Sequence, residues 1–109
     1  MKTPTKVTLD KYGLTEDLWI EMLQEQGGVC YICQKMPSKK RFVIDHQHVP
    51  NYKKLSPEKK RAYIRAILCW WCNKSYMGKG ITLEKAQNMI TLLKEYEERK
   101  SKLLAQDLK

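Results

Sequence analysis

Two Cys-x-x-Cys pairs, Cys30-Tyr31-Ile32-Cys33 and Cys69-Trp70-Trp71-Cys72, restrict what this chain can fold into more than any other feature. Each pair offers two thiolates from one knuckle, and two knuckles close the tetrahedral shell that zinc takes in a structural role. A redox motif of the thioredoxin kind needs only one pair, at the start of a helix in a βαβ setting that this pattern does not supply. Iron–sulfur ligation and simple burial are the other uses open to four cysteines. The chain has 109 residues, enough for one domain with a modest core, and a metal staple would offset that small size.

The Met1-Lys2-Thr3-Pro4 start lacks an apolar leader, and no apolar run nears the roughly 18 residues that span a bilayer. The expectation is a cytoplasmic protein without a membrane partner, where thiols stay reduced and bind metal rather than pair.

The net charge is +9, and its placement carries the information. Residues 34–80 hold 12 basic side chains against Asp45 and Glu58, so this window is +10 while the remainder is −1. Lys39, Lys40, Arg41, Lys53, Lys54, Lys59, Lys60, Arg61, Arg65 and Lys74 all fall in it. A field concentrated in this way favours a polyanion, with nucleic acid the obvious one. The plainer alternative is a solvated lysine-rich surface.

Along the chain, residues 1–11 read as an extended, flexible basic arm. A helix is expected over 14–26: Thr15 suits the N-cap, Glu16 and Asp17 load its first turn, and Gly27-Gly28 stop it. Residues 41–46 are apolar and β-branched enough for a strand, and 65–69 for an antiparallel second one. Ser56-Pro57 starts a short basic helix over 57–64 between them. A helical turn is expected from Cys72 or Asn73, then a break at Gly78 and Gly80, then a long helix over 82–108 capped by Thr82. Leu83, Ala86, Met89, Ile90, Leu93 and Tyr96 form its apolar stripe, which fits a core contact as well as a homodimer.

Asp45-His46 at the end of the first strand is the chemically loaded pair. Hydrolysing a phosphodiester needs a base to take a proton from water and a cation to stabilise the leaving oxygen. Neighbouring strand residues point to opposite sides, so a bend is needed if Asp45 and His46 are to serve one site; His48 falls on the side of His46. Such a pair is common on surfaces, but here Asn73 follows the fourth cysteine and the surroundings are basic.

Asp45-His46, a strand return, and Cys69-x-x-Cys72-Asn73 opening a helix together resemble the zinc-bearing HNH (ββα-metal, His-Me finger) nucleases, above all the phage recombination endonuclease VII family. Tyr12-Gly13-Leu14-Thr15, Gly27-Gly28-Val29-Cys30 and Asp45-His46-Gln47-His48 extend the likeness over roughly residues 12–78. It implies an α+β fold, a zinc-stapled ββα-metal domain over 12–109 with its core in 28–80. It also implies a metal-dependent DNA endonuclease in a phage or bacterial host cytoplasm, acting on double-stranded or branched DNA. By the resemblance His46 would be the general base, and Asp45 and Asn73 would hold Mg²⁺ or Mn²⁺. His48 would assist, and Cys30, Cys33, Cys69 and Cys72 would bind zinc. Tyr76 departs from the pattern, since some members carry an acid there; His48 or water would fill the shell instead. The alternative function is a non-catalytic, zinc-ribbon-like DNA-binding module.

Overall fold

A two-stranded antiparallel ribbon, covered on both faces, organises the computed structural model, which describes residues 3–37, 42–78 and 80–107. Strand β1 (Val43–His46) pairs with β2 (Ile64–Leu68) in the register Val43 to Leu68, Ile44 to Ile67 and Asp45 to Ala66. The next pair is His46 to Ile64, so Arg65 is left as an extra residue on β2, a bulge. Ile44 and Asp45 are both buried although they point to opposite sides, because neither face of the ribbon meets water here.

On one face Ile44 and Ile67 join Leu9, Leu14, Trp19 and Leu23 in an apolar core. Leu9 comes from α1 (Lys6–Lys11), and Trp19 and Leu23 from α2 (Glu16–Glu25). The expected flexible arm over 1–11 is therefore corrected. Thr5 accepts a hydrogen bond from the Thr8 N–H and starts a helix, and Leu9 is too well buried for an arm. The next helix follows its sequence signals, with Thr15 accepting from the Leu18 N–H and Gly27 and Gly28 both at φ +77° beyond its end.

On the other face Leu68, Cys30 and Cys72 are buried together, with Val43, Ala66 and Met77 packed around them. Cys72 and Met77 belong to and follow α4 (Trp70–Tyr76), which begins earlier than its sequence suggests because the Cys69 sulfur acts as N-cap to the Cys72 N–H. The connection between the strands carries a 3₁₀ turn (Tyr52–Lys54) and α3 (Pro57–Ala62), capped by Ser56 as expected.

Gly13 joins α1 to α2 at φ +70°, and a Cβ there would run into the Pro57 carbonyl at the start of α3. Arg61 closes the same junction by donating to the Gly13 carbonyl at 2.7 Å. The inter-strand connection is thereby docked on the N-terminal helices.

The chain divides into two compact units, residues 1–79 and 80–109. The second is α5 (Leu83–Asp107), capped by Thr82, which accepts from the Lys85 N–H. Glu97 with Lys100 and Glu98 with Lys102 form ion pairs along it, a source of local helix support. Among the described residues no helix is long and apolar enough to cross a membrane.

Candidate functional site

The four cysteines that lie 36 positions apart at their inner ends meet in space: Cys33 and Cys69 sulfurs are 4.0 Å apart. All four sulfurs lie within 4.8 Å of one another. A tetrahedral site with Zn–S bonds of about 2.3 Å places its sulfurs roughly 3.8 Å apart, so the set fits such an ion. None of the four is in a disulfide.

Local backbone geometry builds this cluster. Gln34 at φ +58° turns the first knuckle, and the Cys30 N–H donates to the Lys35 carbonyl. Burial pushes the Cys30 thiol up, but backbone N–H donors of Cys69, Cys33 and Ile32 outweigh it and bring Cys30 down to about 7. Burial pushes Cys72 up to about 12, with the neighbouring thiols adding to it. Cys30 thus ionises more readily than an ordinary thiol, while Cys72 resists ionisation without a cation beside it.

A residue that the sequence reading passed over holds this half to the ribbon. The Gln26 side-chain amide donates to the carbonyls of Ile67 (2.8 Å) and Val29 (3.0 Å), and its oxygen accepts from the Ile67 N–H (2.9 Å). It completes the open edge of β2 as a short third strand would. No sequence rule flags a glutamine at a helix end for this task.

At the opposite end of β1, His46 sits in an aromatic niche. Its ring centroid is 5.1 Å from Tyr12, 4.7 Å from His48 and 4.8 Å from Tyr52. The Tyr52 hydroxyl is tied down by donating to the Lys60 carbonyl at 3.0 Å. Burial lowers the His46 pKa below its ordinary value, His48, Lys11 and Arg65 lower it further, and Asp45 opposes them. His46 is therefore a neutral imidazole around pH 7, able to accept a proton. Tyr12 and Tyr52 were not singled out for this site from sequence; their ring contacts cross 34 and 6 positions and leave no local signature.

Asp45 is 4% exposed, and Arg65 grips both of its oxygens, through Nε at 2.7 Å and Nη2 at 2.9 Å. Arg65, expected to contact nucleic acid, sits at the bulge and here pairs with this carboxylate. Asn73 lies half-buried on α4, which packs on β1, and it lines a cleft of about 410 Å³ with Tyr12, Val43 and Ile44. By strand alternation Asp45 shares the side of Val43, where α4 packs, while Tyr12 touches both His46 and the cleft of Asn73. A second cavity of the same size, lined by Trp19, Ile20, Leu23 and Gln24 among others, carries no titratable group.

Of the basic residues, Lys53, Lys54 and Lys59 are exposed, Lys60 is half-buried, and Lys74 stands 4.8 Å over the Trp70 ring. Arg61 is committed to Gly13, as Arg65 is to Asp45. Lys39, Lys40 and Arg41 lie outside the described residues.

Fold and site define a class: a small α+β protein with a four-cysteine cluster placed to bind a metal, beside a strand that ends in histidine. Comparison with known families makes this specific. The recombination endonuclease VII profile matches residues 5–99, and the chain belongs to that family. It is 38% identical over 71 residues to the Gene 59 protein of Mycobacterium phage L5 and 37% identical over 71 residues to that of phage D29. These matches cover 64% of this chain but only 37% and 36% of the two relatives, so the chain spans well under half their length. No solved structure matches it. Family membership suggests a nuclease acting on DNA, and the cysteines are positioned to bind a metal ion, consistent with structural zinc.

Proposed function

We propose that the protein is an HNH-type, metal-dependent DNA endonuclease, with a ββα-metal core built from β1, β2 and α4. The observation that carries this reading is His46, held neutral and half-buried beside Asp45 at the end of β1 in a chain of the endonuclease VII family. His46 takes a proton from water as the water oxygen attacks the phosphorus and the bridging oxygen leaves. A Mg²⁺ or Mn²⁺ ion, when bound, stabilises the charge that develops on the leaving oxygen. Asp45 and Asn73 are the residues that would hold it. His48, its ring against His46, orients the base or contacts the phosphate. Cys30, Cys33, Cys69 and Cys72 hold zinc in a structural role.

Exposed Lys53, Lys54, Lys59 and Lys74 grip phosphates without reading sequence, together with Lys39, Lys40, Arg41 and Lys60. Branched DNA or a nick in duplex is the expected target and product, in the cytoplasm of a bacterial host. The exposed Leu92, Leu93, Leu103 and Leu104 of α5 suit pairing with a second copy.

One observation favours the alternative, a zinc-bearing DNA-binding module without catalysis: Asp45 is already bonded to Arg65. Cleavage of supercoiled plasmid with Mg²⁺ or Mn²⁺ decides. The nuclease reading expects nicking or linearisation that chelator abolishes and that His46→Ala lowers by roughly 10²–10⁴-fold. DNA retardation without cutting by either protein would hand the site to the binding module.

A further inference from the structure

The tightest polar contact in the site joins Asp45 to Arg65, the residue that the bulge leaves without a strand partner. A carboxylate that is 4% exposed needs a cation beside it. Arginine cannot shed its proton to relieve the pairing, so it is a permanent positive charge at this position. The two partners are not equally fixed. Asp45 is buried in the ribbon, whereas the Arg65 side chain is 27% exposed. The same guanidinium reaches the His46 carbonyl at 3.4 Å, so it spans both residues of the loaded pair.

We propose that Arg65 is the resident counter-cation of Asp45, exchanged for a divalent ion in the working enzyme. The proposal rests on the nuclease reading above. Without metal, Arg65 holds the Asp45 carboxylate by both oxygens and keeps it aimed; when a divalent cation enters, Arg65 releases the carboxylate and turns its guanidinium to a DNA phosphate. Guanidinium binds phosphate by the same two-pronged geometry that it uses on carboxylate. DNA thus gives Arg65 a second partner, so DNA and metal assist each other's binding, and by thermodynamic reciprocity the effect is equal in both directions. Arg65 is in this sense a positioning residue, and it limits metal occupancy until substrate arrives.

The test is Mn²⁺ binding, followed by electron paramagnetic resonance, to the zinc-loaded full chain in a His46→Ala background that leaves a duplex oligonucleotide uncut. Arg65→Met is expected to bind Mn²⁺ roughly tenfold tighter without DNA, the size of one strong charged contact. DNA should tighten Mn²⁺ binding when Arg65 is present and leave the Arg65→Met value unchanged. Arg65→Met strands a buried charge and could weaken the fold, so Arg65→Lys, which keeps the charge and loses the fork, provides a second arm of intermediate affinity. Asp45→Asn separates the two ways of failing. If it binds Mn²⁺ as well as its parent, the metal is not at Asp45 and the nuclease reading falls together with the exchange. If it loses Mn²⁺ while neither Arg65 variant binds more tightly, the site reading stands and the exchange is overturned.

Discussion

The two ends of the ribbon are built on opposite principles. At the Val43–Leu68 end, four chemically identical ligands converge, and their job is set by residue type and local turn geometry. At the His46–Ile64 end, unlike groups meet: an imidazole among aromatic rings, and a carboxylate under a guanidinium. The first end gathers its four thiols at one point, where they are placed to bind a metal ion. The second depends on several separate contacts, from Tyr12, from Tyr52 of the 3₁₀ turn and from Arg65 at the β2 bulge. A four-thiolate metal site therefore tolerates no missing ligand, while the histidine end can lose a ring contact and still fold.

The largest effect should come from the metal end. Cys72→Ser removes a buried ligand, and structural zinc supplies on the order of 10 kcal/mol of folding free energy. Loss of bound zinc by elemental analysis together with loss of the cooperative thermal transition is expected. A zinc-free variant that melts like the parent would mean that the cysteine end does not carry the fold.

Next is the junction that supports the histidine end. Gly13→Ala places a Cβ against Pro57 at a positive φ, and should cost about 2–4 kcal/mol from strain and displacement combined. Denaturant unfolding measures it, and the loss should fall on the docking of α3. An unchanged midpoint would show that α3 is free of the N-terminal helices.

A smaller loss is expected from Gln26→Ala, which leaves the Ile67 N–H unpaired while its carbonyl keeps the Tyr31 N–H, at about 1–3 kcal/mol. Amide exchange at Ile67 should accelerate with it. Protection equal to the parent's would assign the strand edge another partner.

The smallest effect is electrostatic. Because the folded pKa of His46 lies below its unfolded value, the folded state resists protonation; the associated stability is complete above pH 6.5 and is lost as pH falls through the folded pKa. The acid limb of the cleavage rate should accordingly lie below pH 6.5. A limb at or above that value would mean that a different group is titrating.

Much of the molecule is legible in its sequence. Thr15, Ser56 and Thr82 cap helices as their types demand, since capping is a hydrogen bond to a backbone N–H three residues away. Leu9 was missed because a six-residue helix has too few turns for a periodic signal, and its formation depends on burial against α2. The Asp45 partner of Arg65 is invisible in the sequence because charge counts do not reveal partners. Its ion pair spans 20 positions and exists only through a one-residue slip in strand register.

What the sequence determined by itself is the set of donors and their spacing: four thiols in two knuckles, an Asp-His pair at a strand end, and an asparagine after the last cysteine. These follow from residue type and from contacts within a few positions, where the geometry of the chain leaves little freedom. The tertiary structure alone decided which charges neutralise one another, which rings enclose His46 and which side chain finishes the sheet edge. Such contacts join segments whose separation along the chain imposes no preference, so only the shared burial of both faces of the ribbon selects them.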